Sequence, residues 1–162
     1  MQELLPLAER LGARLKERGE TVSVAESAAG GLIAAALLAT PGASAYFIGG
    51  TVVYTYKSRS ALLGISEDAL TGMRPSTEAY ALMMARHIRD KLGSTWGIAE
   101  TGAAGPSGNR YGDAAGHACV ACVGGGESSE ASLTIETGAT DRAQNMRAFA
   151  QAAMELLLRQ LG

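Results

Sequence analysis

Thr21-Val22-Ser23-Val24-Ala25-Glu26-Ser27-Ala28-Ala29-Gly30-Gly31-Leu32-Ile33-Ala34-Ala35-Ala36-Leu37-Leu38-Ala39 is the stretch that decides the fold class. Its first five residues form a short β-like run, Ser27 stands where a helix N-cap is expected, and Gly30 to Ala39 are helical in composition until Thr40-Pro41-Gly42 ends them. Upstream, Leu4, Leu7, Ala8, Leu11 and Leu15 recur at helical spacing and Gly19 stops the run, which predicts an amphipathic helix. Downstream, residues 45–56 predict a long strand broken at Gly49-Gly50, and residues 60–63 a short helix ending at Gly64, with another turn or two over 66–70. Pro75-Ser76-Thr77-Glu78 opens a long helix to about Leu92, with Ala81, Met84, Ala85, Ile88 and Leu92 on one stripe and Gly93 as its stop. Strands are expected over 95–99, 116–123 and 131–137, the last two joined as a hairpin through Gly124-Gly125-Gly126. A final helix begins near Thr140, with Asp141 in its first turn and Met146, Phe149, Ala153, Leu156 and Leu157 on one face. The order α-β-α-β-α-α-β-β-β-α predicts a single α/β domain over residues 1–162, a three-layer α/β/α sandwich with a mixed sheet.

Composition narrows the partners. The chain has 162 residues, 47% hydrophobic and 19% charged, enough for one core and too apolar for a disordered tail. Fourteen Lys+Arg against sixteen Asp+Glu, a net charge of −2, argue against a surface built for nucleic acid or anionic lipid. The start lacks a basic leader pattern and the longest apolar run, 28–39, is too short to span a bilayer, so a soluble cytoplasmic protein with no membrane partner is expected. Glycine, 21 residues, is close to twice its usual share of ~7% and has no collagen period, which implies many tight backbone turns.

Cys119 and Cys122 form a C-x-x-C, but they lie in the strand-like run His117-Ala118-Cys119-Val120-Ala121-Cys122-Val123, where residues three apart point to opposite faces. Buried reduced thiols are therefore expected rather than a redox pair. His87 and His117 do not complete a zinc set, and no metal site is expected.

Three glycine-containing segments follow predicted strands: 26–31, 49–59 and 101–108. Beyond the carboxyl ends of strands in an α/β sheet, such loops gather around ligands. The first places free backbone N–H groups beside Ser27, suited to an anion or an oxyanion, although an N-cap serine has the same signature. Thr101-Gly102-Ala103-Ala104-Gly105-Pro106-Ser107-Gly108 is neither a Walker loop nor a Rossmann fingerprint, yet its main chain can approach a phosphate or carboxylate closely. A long surface connection has the same composition.

In order, Thr21-Val22-Ser23-Val24-Ala25-Glu26-Ser27-x-x-Gly30-Gly31, Thr40-Pro41-Gly42-Ala43-Ser44-Ala45-Tyr46-Phe47-Ile48-Gly49-Gly50, Leu62-Leu63-Gly64-Ile65 and Thr101-Gly102-Ala103-Ala104-Gly105-Pro106 resemble the CinA C-terminal domain family over nearly the whole chain. The chain has no room for the N-terminal molybdopterin-binding-like domain that members can carry, and so resembles the stand-alone form. Enzymatic members are nicotinamide-nucleotide amidohydrolases. The resemblance implies hydrolysis of nicotinamide mononucleotide to nicotinate mononucleotide and ammonia without metal or organic cofactor, in a homo-oligomer, for which a dimer is the guess.

Under that resemblance Ser27 is the candidate nucleophile or oxyanion-side hydroxyl, and Tyr54, Arg59 and Thr101 complete the catalytic candidates. Gly30, Gly31, Gly49, Gly50, Lys57, Gly102, Gly105 and Arg142 are the substrate-binding candidates, and Arg147 matches a further family arginine. Each arginine can equally be a solvated surface charge. Glu26 is either a base near Ser27 or a carboxylate that complements a helix start. Departures from the pattern are Ala28 and Ala29 for cysteine and threonine, Asp113-Ala114 for Lys-Pro, Glu100 for a small or hydroxyl residue, and Arg59 at the family's lysine. Arginine stays charged and cannot accept the serine proton, which a lysine with a depressed pKa can, so either displaced Lys57 serves or turnover is slow. The alternative reading is a catalytically weakened nucleotide-binding or regulatory paralogue.

Overall fold

The computed structural model describes residues 1–66, 68–124 and 129–162. Glu67 of the expected 66–70 turn, and Gly125 and Gly126 of the expected hairpin turn, lie outside the described residues. Helices α1 (Leu5–Arg18), α2 (Leu32–Leu38), α3 (Tyr56–Leu63), α4 (Glu78–Leu92) and α5 (Arg142–Leu161) alternate with strands β1 (Val22–Glu26), β2 (Phe47–Val52), β3 (Trp96–Ala103), β4 (His117–Val123) and β5 (Glu130–Glu136) in the expected sequence. The sheet order is β2-β1-β3-β4-β5. β1 pairs parallel to both β2 and β3, whereas β3–β4 and β4–β5 are antiparallel, so the sheet is mixed.

Side-chain alternation divides the interior. Val22, Val24, Ile98, Ala118, Val120 and Cys122 meet the apolar faces of α1, α2 and α5. Ala25, Ala99, Cys119, Ala121 and Val123 meet Tyr80, Met84 and Ile88 of α4 and Leu63 of α3. Helices thus cover both faces, and β1 and β4 are buried along their whole length and β3 at every residue but Gly102, as inner strands of a sandwich must be. Cys119 and Cys122 are free and lie in different core layers, which rules out a bridge between them. Burial pushes the Cys122 thiol up to about 12, so it stays protonated.

Three expectations need correction at element boundaries. The helix after β1 begins at Leu32 with Gly31, not Ser27, as its N-cap residue, because Gly30 and Gly31 take positive φ and turn the chain first, and the Glu26 carboxyl accepts from the N–H groups of its first turn. The long strand expected to Tyr56 ends at Val52: Thr55 and Ser58 form a capping box that starts α3 at Tyr56. Continuous β-branched and aromatic residues mask that switch in the sequence. The segment beginning at Thr101 is not yet a loop, since β3 continues to Ala103, with Thr101 opposite Cys119 and Gly102 opposite Ala118. A Cβ on Gly102 would stand 2.5 Å from the His117 carbonyl oxygen, so only glycine allows that pairing.

Candidate active site

β1, β2 and β3 all end at one edge of the molecule, and a cavity of about 390 Å³ opens beyond those ends. Half-buried Ser27, directly after β1, lines it together with Tyr54, two residues past β2, and with Thr101 and Gly102 in the last turn of β3's pairing. The segments around 27, 54 and 101 therefore converge as the sequence reading required. The opposite wall comes from Tyr56 of α3, Tyr80 of α4 and the Asn109-Arg110-Tyr111 segment.

The backbone behind Ser27 departs from expectation. Its N–H and that of Ala29 are not free for a ligand: both donate to Glu100 Oε2, at 3.0 and 2.7 Å. Glu26 accepts from the N–H groups of Gly31, Ile33 and Ala34 at 2.8–3.0 Å, so of its two expected roles the helix-start one is what the geometry shows. Both carboxyls are buried, and burial raises both above the usual range, Glu100 to about 7, against the downward pull of those backbone donors. Glu100 Oε1 has no hydrogen-bond partner among the described residues. A lone carboxylate inside the apolar run of β3 was the sequence signal for this unit; the register that aims it at Ser27 was not visible there.

Thr101 is held from the far side by Ser76, whose N–H donates to Thr101 Oγ1 at 3.2 Å. Ser76, at φ 59, is the one non-glycine residue with positive φ among the described residues, a conformation that costs on the order of 1 kcal/mol. It is over-determined: its carbonyl accepts from His117 Nε2 at 2.9 Å and its hydroxyl from Asn109 Nδ2 at 3.2 Å. Burial opposes the charge on His117, but Glu136, the Ser76 carbonyl and Asp113 outweigh it and raise its pKa. Asp113 in turn pairs with Arg74 at 2.7 Å, so this departure from the family's Lys-Pro makes an ion pair beside the cavity.

The arginine and lysine candidates separate. Arg142, the first residue of α5, donates to the Gly105 carbonyl at 2.7 Å and to the Tyr54 hydroxyl at 3.0 Å, so it braces the site from outside the cavity. Arg147 lies near Glu3 at 3.5 Å and does not line the cavity. Arg59 is 2% exposed, behind the wall: Nη1 donates to the Tyr80 hydroxyl at 3.1 Å, and its guanidinium lies 4.6 Å from the Tyr56 ring centroid. Lys57 is exposed on the first turn of α3 and does not line the cavity, so no backbone shift brings it to Arg59's place.

The glycine candidates other than Gly102 also stand outside the lining. Gly30 and Gly31 shape the turn into α2, and a Cβ on Gly30 would meet Met146 Cε at 2.7 Å. Gly49 and Gly50 sit inside β2, under Leu92 and Ala34, where they serve packing rather than a ligand. Gly105 is buried with its backbone against Thr140 and Arg142.

Residues that sequence reasoning missed are Tyr56, Ser76, Tyr80, Asn109, Arg110 and Tyr111. The adjacent cationic and aromatic side chains of Arg110-Tyr111 were the available signal. Arg110 lies 5.6 Å from the Tyr56 centroid and 5.7 Å from that of Tyr111, and the two tyrosine hydroxyls are hydrogen-bonded. No group of three or more His, Cys, Asp or Glu that could hold a metal occurs among the described residues. No helix among them is long and apolar enough to cross a membrane.

The model of the CinA C-terminal domain matches residues 4–161. A CinA-like protein of Myxococcus xanthus is 40% identical over 146 residues, 90% of this chain and 34% of its own length. One from Gloeobacter violaceus is 37% identical over 156 residues, 96% of this chain and 36% of its own length. The chain thus spans about a third of these curated relatives. Among solved structures, a competence-damaged protein (CinA) superfamily protein from Enterobacter cloacae superposes with a TM-score of 0.89 at 28% identity, covering 98% of this chain and 92% of that one. The competence/damage inducible protein CihA from Agrobacterium tumefaciens does so at 0.89 and 29% identity, covering 98% and 96%.

Proposed function

The chain belongs to the CinA C-terminal domain family, and from that premise we propose that it is an amidohydrolase that converts nicotinamide mononucleotide to nicotinate mononucleotide and ammonia. The observation that carries this reading is the meeting of Ser27, Tyr54 and Thr101 on one cavity in which Arg110 is the only charged lining side chain among the described residues. Its volume, about 390 Å³, falls in the range of roughly 300–1,000 Å³ common for small-molecule sites. A single uncompensated guanidinium suits a phosphate, and tyrosine faces suit a planar pyridinium ring. Ser27 Oγ adds to the carboxamide carbon, whose π pair moves onto oxygen. Collapse of the adduct breaks the C–N bond, the serine proton leaves with nitrogen as ammonia, and water then cleaves the ester to restore Ser27.

Ammonia release by the purified protein with nicotinamide mononucleotide tests the reading. Wild type is expected to exceed Ser27→Ala by at least about a thousandfold, as loss of a nucleophile does; equal rates overturn it. A binding or regulatory paralogue is the second reading, favoured by Arg59 at the lysine position and by Glu100 on the Ser27 turn. Calorimetric binding of the nucleotide without ammonia release selects that one.

A further inference from the structure

The oxyanion formed by attack of Ser27 needs donors, and the backbone groups nearest that serine are unavailable because the N–H groups of Ser27 and Ala29 are engaged by Glu100. Two hydroxyls that line the same cavity are differently placed. Thr101 Oγ1 already accepts from Ser76 N–H, and the Tyr80 oxygen already accepts from Arg59 Nη1 at 3.1 Å. A hydroxyl has one proton, and guanidinium only donates, so neither of these oxygens spends its own proton on the partner named. Tyr80 is 5% exposed, and its hydroxyl makes no other hydrogen bond among the described residues.

Arg59 is the second observation. It is a buried cation with no carboxylate within ion-pair distance among the described residues, and its Nε has no hydrogen-bond partner. Removing a charge from water without a counter-charge is costly, and a side chain kept so has a task that outweighs packing. The only side-chain hydrogen bond it makes among the described residues runs to Tyr80. A cation donating to the phenolic oxygen polarises its O–H, and Tyr80 lines the same cavity as Ser27 and Thr101.

Resting on the amidohydrolase reading, we propose that Tyr80 is a further catalytic residue, which donates a hydrogen bond to the oxygen of the tetrahedral adduct, and that Arg59 is the positioning residue that aims and polarises it. Tyr80 keeps its proton throughout; the adduct oxygen gains negative charge as the C–O bond from Ser27 forms and loses it as the C–N bond breaks. Arg59 therefore supplies charge stabilisation through Tyr80 where a lysine would supply a base.

The test uses the full chain and two substrates of different kinds: nicotinamide mononucleotide, read by ammonia release, and a fluorophosphonate, read by mass as covalent labelling of Ser27. Tyr80→Phe is expected to lower kcat and the labelling rate by about a hundredfold, as loss of one oxyanion donor does, with KM changed by less than about threefold. Arg59→Gln is expected to lower kcat in wild type and to add nothing in the Tyr80→Phe background, a non-additivity that a merely structural role would not produce. Circular dichroism identifies a variant that has lost its fold, in which case the other single variant is read. A reactive wild type with Tyr80→Phe unchanged in both assays, or Arg59→Gln fully additive with it, overturns the proposal and leaves the amidohydrolase reading standing. Wild type inert towards both reagents overturns both; labelling without ammonia release removes the substrate while the Tyr80→Phe labelling ratio still decides the donor.

Discussion

On the β1–α2 side of the cavity, Glu26 of β1 and Glu100 of β3 accept from the N–H groups of Gly31, Ile33, Ala34, Ser27 and Ala29. On the α3–α4 side, Arg59 and Arg110 stand among Tyr56, Tyr80 and Tyr111 with no carboxylate in ion-pair contact among the described residues. One wall turns its carboxyls on its own backbone donors, with only Glu100 Oε1 left without a partner among the described residues, and the other leaves positive charge unanswered. Rigid positioning belongs to the first wall and recognition of an anion to the second, because only an unmatched charge has interaction energy left for a ligand.

The largest expected effect breaks the first wall. Glu26→Ala removes the acceptor of three backbone donors at the start of α2, and unfolding in urea should show a loss of about 4 kcal/mol, combining a lost cap with N–H groups left buried and unpaired. A loss below about 1 kcal/mol would mean that α2 is held by packing alone and that this wall is not charge-built.

Next is Glu100→Gln, which keeps an oxygen for Ser27 and Ala29 but cannot ionise. The Glu100 carboxyl titrates at about 7 in the folded chain against an ordinary value of 4.5. Between those values the folded protein holds a proton that the unfolded chain has released, so wild-type stability falls as pH rises across that window and levels off above it. The fall amounts to about 3 kcal/mol at most. The Gln variant should show a distinctly shallower decline, with Glu26, raised by burial, and His117, raised by its carboxylate and carbonyl partners, accounting for what remains. Parallel stability curves for the two proteins between pH 4.5 and 7.5 would contradict the buried-carboxyl account.

The smallest effect sharpens the second wall. Arg110→Ala should weaken calorimetric binding of nicotinamide mononucleotide about tenfold, near 1.4 kcal/mol, and flatten its dependence on salt. Binding of the corresponding nucleoside, which lacks the phosphate, should change little. Equal weakening of both ligands would place the phosphate elsewhere.

Several parts of this organisation were legible in advance. Helical spacing in α1, α4 and α5, and glycine stops at Gly19 and Gly93, are local patterns, and the structure follows them within a few residues. Opposite faces for Cys119 and Cys122 followed from strand periodicity alone. The order of glycine-bearing segments was enough to bring Ser27, Tyr54 and Thr101 to one place, since each follows or closes a strand that points the same way. Gly49, Gly50 and Lys57 do not line that cavity, since membership of a segment near the site says nothing about which side of the chain a residue presents.

By itself, the amino-acid order determined the succession of helices and strands, the mixed character of the sheet and the segments that end near one another, because these depend on neighbouring residues and on the handedness of short connections. Only tertiary structure decided that Glu100 reaches across from β3 to fill the donors beside Ser27, and that Arg59 points at Tyr80 rather than at solvent. Those pairings join residues 73 and 21 positions apart. They are set by strand register and helix rotation, quantities that arise only when the whole core packs.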